Sequence, residues 1–157
     1  MTETGVFTIK ELSLEQMLAS GNYRDWTIDI TTDLFPFNPE DIGEWEFCRF
    51  GVDDWDRRYF FWSAGITPKN AAVHISKKDP ANPWQAARLA HLLTYRLSFP
   101  ETQYYRKPLV CAGSVGGEDN NQYPYIGQGI EKPYVATLCG SIGLSDEYYF
   151  LAVRRIK

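Results

Sequence analysis

Two stretches of this chain combine side chains able to hold a ligand. The segment from Trp45 to Trp62 carries three tryptophans and the run Asp53-Asp54-Trp55-Asp56-Arg57-Arg58. Aromatic faces beside carboxylates and arginine can stack on a flat group while charge-assisted hydrogen bonds fix its orientation. Trp55 lies among charges, which predicts an exposed hairpin tip with Asp54 and Arg57 next to it and Trp45 and Trp62 in the core. The second stretch is 84–95. Read as a helix, it gathers Trp84, Arg88, His91 and Tyr95 on one arc and Ala86, Leu89, Ala90, Leu93 and Leu97 on another. The first arc reads as an aromatic and basic stripe for a ligand or partner, the second as the core face. On that wheel Arg88 is solvated, and its removal changes stability by no more than about 0.5 kcal/mol.

Candidates for catalysis are weaker. Gly113-Ser114-Val115-Gly116 and Gly140-Ser141-Ile142-Gly143 each offer a serine between glycines. A nucleophile elbow needs Gly-x-Ser-x-Gly between a strand and a helix. Ala112 and Cys139 stand where the first glycine belongs, and no helical pattern follows either serine. Glu118-Asp119 and the missing Lys-Ser/Thr ending exclude a phosphate loop after Gly113. His74 and His91 have no metal-pair spacing, so no metal and no cofactor are expected. Cys48, Cys111 and Cys139 lie in no Cys-x-x-Cys arrangement. Their apolar neighbours Phe47, Val110 and Leu138 predict three reduced, buried and unreactive thiols.

The elements that must position these residues follow from local pattern. Val6 to Ile9 reads as a strand, and Ser13 with Gln16 forms a capping box for a short helix over about 13–20, stopped at Gly21. Alternation over 26–31 and 45–50 predicts half-buried strands, the second paired in a hairpin with 58–63. Asn38 caps one turn, 65–70 is a loop, and 72–76 is a further strand. Asn82 as N-cap with Pro83 at the first position predicts one long helix over about 83–98, ended by Pro100. Strands are expected at 109–112, 134–140 and 148–156, with a glycine-rich connection over 113–129. The fold class is therefore α+β, a mostly antiparallel sheet of six to eight short strands in a single globular domain spanning 1–157.

The chain has 157 residues, 44% of them hydrophobic and 23% charged, which suits one domain with a sizeable core. No apolar run reaches the roughly 18 residues of a membrane-spanning helix, and the start lacks a signal-peptide pattern. A net charge of −4 opposes attraction to nucleic acid or anionic lipid, so neither is an expected partner. The expectation is a soluble, acidic, aromatic-rich cytoplasmic protein. It acts as a non-enzymatic binding domain for a protein partner or a small ligand, through an exposed aromatic and basic surface formed by the two stretches above. A homo-oligomer would satisfy the same surface. The alternative is a small hydrolase or other enzyme with its site beside the 113–129 loop.

Overall fold

The computed structural model describes residues 4–21, 23, 30–31, 33–51, 66–100, 107–116, 120–128, 132–144 and 147–156. Among these, seven strands form one mostly antiparallel sheet, accompanied by three α-helices and a single 3-10 turn. The strands are β1 (Thr4–Ile9), β2 (Gly43–Gly51), β3 (Gln85–Ala86), β4 (Leu109–Val110), β5 (Gln122–Gln128), β6 (Pro133–Cys139) and β7 (Tyr149–Arg155). The helices are α1 (Leu14–Ser20), α2 (Pro68–Ser76) and α3 (Leu89–Ser98). Spatial order is β1-β2-β7-β4-β5-β6, with β3 also pairing β7. The β4–β7 pair is parallel; the other pairs are antiparallel.

The central strands are buried on both faces, so 45–50 is not the half-buried strand expected of it, and alternation assigns each side chain to one of two cores. Leu151 and Val153 of β7 join Trp45 and Phe47 of β2 under α1 and α3. Phe150 and Ala152 join Cys48 and Phe50 against Ala71 and Ile75 of α2. This is the period-2 rule acting on a sheet covered on both sides.

Local signals were sound where the partner was also local. Ser13 Oγ accepts from Gln16 N at 3.1 Å, while Ser13 N donates to Gln16 Oε1 at 2.8 Å, so the capping box of α1 is complete. Three expectations need correction. Residues 72–76 are helical, and so are 68–70 of the loop expected over 65–70, because Thr67 Oγ1 accepts from Asn70 N and Pro68 opens α2. The stretch 113–129 is not all connection, since β5 occupies Gln122–Gln128 and pairs β6.

The long helix over 83–98 begins only at Leu89. Residues 79–82 form a turn, with Asn82 N donating to Asp79 O, and Gln85–Ala86 pairs with Val153 and Ala152 of β7. An open edge of a central strand demands backbone partners, and that demand outweighs a local cap. The strand at 26–31 and the hairpin partner at 58–63 lie largely or wholly outside the described residues; the described partners of β2 are β1 and β7.

The cysteines are free, but not all alike. Cys48 and Cys111 are buried, and burial pushes the Cys111 thiol far up. Cys139, at the end of β6, is half-exposed and lies 3.0 Å from Ser141 Oγ, with Asn121 Nδ2 donating to it at 3.4 Å. The Ser141 hydrogen bonds, side chain first and backbone second, lower its pKa. Uniform burial is thus corrected at this residue. A thiol reagent such as Ellman's should titrate one cysteine quickly in the folded protein, and Cys139→Ser should abolish that reaction. A fast-reacting thiol that survives Cys139→Ser would refute the assignment.

Candidate functional site

The aromatic and basic stripe does not exist as a surface. Trp84 precedes β3 and is buried on the α2 side, where Arg154 stacks 3.9 Å above its ring and Phe50 meets it edge-on at 6.4 Å. His91 and Tyr95 are fully buried on the α3 side of the sheet. Tyr95 packs edge-on against Phe47, with ring centroids 4.8 Å apart. The physical reason is that α3 is buried almost all round, from Leu89 to Arg96, so both arcs of the wheel are inside. Trp55, Asp54 and Arg57 lie outside the described residues. Of the sequence candidates among the described residues, Arg88 alone reaches the cleft between the 35–39 loop and Gly113–Val115 while remaining partly exposed.

Arg88 is the N-cap of α3, and its position is set by partners distant in sequence. Its backbone N–H donates to His91 Nδ1 at 3.0 Å, and the next N–H, that of Leu89, donates to Ser114 Oγ at 2.8 Å. Two otherwise unpaired donors of the first turn are thereby satisfied. Its guanidinium forks onto Asp41, with Nε 3.0 Å from both carboxylate oxygens and Nη2 also bonded to Oδ1. The Asp41 side chain is 2% exposed and that of Arg88 33%.

Asp41 in turn ends the 3-10 turn Pro39–Asp41, which Asn38 caps by accepting from Glu40 N. Trp45 Nε1 donates to Asp41 O at 2.8 Å. Arg155 lies 4.2 Å above the Trp45 ring and donates to the carbonyls of Ile42 and Glu40. The sequence reading missed Asp41. Its sole local signal was the Asn38-Pro39 turn, and its partner is 47 residues away.

His91 completes the cluster as a neutral ring. Because Nδ1 accepts from Arg88 N, Nε2 carries the proton; it points toward Asp41 Oδ1 from 3.9 Å, too long for a hydrogen bond. Trp45 packs edge-on at 4.4 Å. Burial, then the charges of Arg88 and Arg155, push the imidazole pKa down to about 3.

Beside this cluster lies an open cleft of about 370 Å³. The 35–39 loop forms one wall and Gly113–Val115 the other, with Arg88 between them. Two glycines let the walls approach. A Cβ at Gly113 would collide with the Ala86 and Ala87 carbonyls, and one at Gly116 with the Leu34 carbonyl. Phe35, Pro36, Phe37, Pro39 and Val115 make the cleft largely apolar.

Three polar side chains lining it have donor capacity in hand. Arg88 Nη1, the Ser114 hydroxyl hydrogen and the Asn38 amide nitrogen make no hydrogen bond among the described residues. No cluster of three metal-ligating side chains exists among the described residues. No described helix is long and apolar enough to cross a membrane.

The chain matches no family model, no curated protein and no solved structure.

Proposed function

We propose that this protein is a non-enzymatic binding domain that takes a small molecule in the cleft between the 35–39 loop and Gly113–Val115. The observation that carries this reading is the pairing of apolar walls with unengaged donors in one cavity of about 370 Å³. Small-molecule sites occupy roughly 300 to 1,000 Å³ and combine apolar linings with a few placed polar groups.

Hydrolysis is less well supported. A base must lie within hydrogen-bond reach of its nucleophile. Ser114 Oγ is engaged by Leu89 N–H, and the buried His91 ring holds Arg88 N–H. Neither side chain bonds the other among the described residues. Three free cysteines suit a reducing compartment, which favours a cytoplasmic location.

The test is a screen of small aromatic and heteroaromatic compounds against isotope-labelled protein by amide NMR. Bound compounds should shift the amides of Phe37, Ser114 and Val115. Val115→Trp should suppress those shifts in a folded protein, since Val115 is 42% exposed and a bulky ring there fills the cleft. Compounds that bind only elsewhere, or that ignore Val115→Trp, would count against the cleft.

A further inference from the structure

We infer that the cleft selects an organic monocarboxylate with an apolar body, read at its charged end by Arg88 Nη1. This rests on the cleft being the binding site and adds the chemical class of its ligand. Three side chains lining the cleft carry unengaged donors: Arg88 at Nη1, Ser114 at its hydroxyl and Asn38 at its amide nitrogen. None of the described residues lining the cleft carries a carboxylate, and Asp41 beneath it is held on the Nε and Nη2 edge of the guanidinium. A guanidinium carries five N–H donors in a planar fork, so the edge held by Asp41 fixes the plane of the group and leaves the Nη1 donors unengaged on a residue that lines the cleft.

Arginine held in one geometry loses less side-chain freedom on binding than a mobile one. The N-terminus of the ten-residue helix α3 adds a partial positive charge at the same point.

Between anions, charge balance favours the singly charged one. Asp41 already neutralises Arg88, so a carboxylate leaves the trio one negative charge in excess, offset by the two neutral donors and the helix end. A dianionic phosphate would leave two, with no second cation among the described residues lining the cleft. The apolar body of the ligand is held by Phe35, Phe37, Pro36 and Val115.

The experiment titrates matched pairs into the full-length protein by NMR and calorimetry: benzoate with benzamide, phenylacetate with phenylacetamide, indole-3-acetate with indole-3-acetamide, hexanoate with hexanamide. Within at least one pair the acid should bind tenfold or more tightly than its amide and shift the Ser114 and Val115 amides. Val115→Glu, a change at an exposed position of the cleft wall that leaves the Asp41–Arg88 pair intact, removes an apolar contact from acid and amide alike but adds repulsion only for the acid, so it should weaken the acid at least tenfold more than it weakens the amide. An unchanged melting temperature shows that this variant is folded. If acid and amide bind the cleft equally, the carboxylate inference is wrong and the cleft reading stands. If no compound of either kind, and none from the aromatic screen, touches the cleft, both are wrong.

Discussion

Acidification from pH 6.5 toward 3 should destabilise this protein through His91 alone by about 1.4 kcal/mol per pH unit, of order 4 to 5 kcal/mol across the window. In the folded chain the ring is neutral and its pKa is pushed down to about 3 by burial, then by Arg88 and Arg155. In the unfolded chain it titrates near 6.5. Between those values the unfolded state binds a proton that the folded state refuses, so stability is full above pH 6.5 and is lost as pH falls. Charging the ring would also force Nδ1 to carry hydrogen, setting it donor-to-donor against Arg88 N–H.

Other carboxylates add their own acid lability below about pH 5, so the diagnostic range is 6.5 to 5. His91→Asn offers an amide oxygen near the place of Nδ1 and cannot titrate. Urea melts should show a steep wild-type decline over that range and a flatter one for His91→Asn. Parallel declines would mean that His91 is not the group responsible.

Arg88→Ala should cost about 3 kcal/mol, far above the half kilocalorie expected of a solvated helix residue. The argument is asymmetric burial. Asp41 has a 2% exposed side chain, and truncating Arg88 strands its carboxylate without a counter-ion. Breaking a buried pair from one side costs about 3 to 5 kcal/mol, and the one-third exposure of Arg88 places this case at the lower end. The converse change, Asp41→Ala, leaves an arginine that can turn to water and should cost less. Removing the charge as well, in Arg88→Ala with Asp41→Asn, should recover at least about 1 kcal/mol of the loss. Urea denaturation of the three variants measures each quantity. An Arg88→Ala melt within about 0.5 kcal/mol of wild type would refute the coupling.

The two predictions concern one cluster, of which the sequence reading found two members for the wrong reason. Arg88 and His91 were placed on a solvent-facing stripe because their spacing repeats with Trp84 and Tyr95. Helical periodicity can rank faces only when a helix has one wet side. From Leu89 to Arg96, α3 is buried throughout, and Trp84 is not on it. The Asn82-Pro83 signal misled for a related reason: a cap motif states where a helix could begin, but the free edge of β7 recruited Gln85–Ala86 first. The helix α2 was more legible than the reading allowed. Thr67-Pro68 is the same cap-and-proline signal, and there no strand edge competes among the described residues.

By itself the sequence determined the α+β class, the capping box of α1 and the strands at β1, β2, β6 and β7. Each of these depends on interactions within a few residues or on period-2 alternation, which the chain carries locally. The tertiary structure decided where α3 starts, that His91 and Tyr95 are core, and that Arg88 meets Asp41 at the edge of a cleft. Those outcomes depend on pairings that only the closed sheet brings into contact, Arg88 with Asp41 across 47 residues and Leu89 with Ser114 across 25. Burial of a charge is a property of such encounters, and no spacing rule along the chain encodes it.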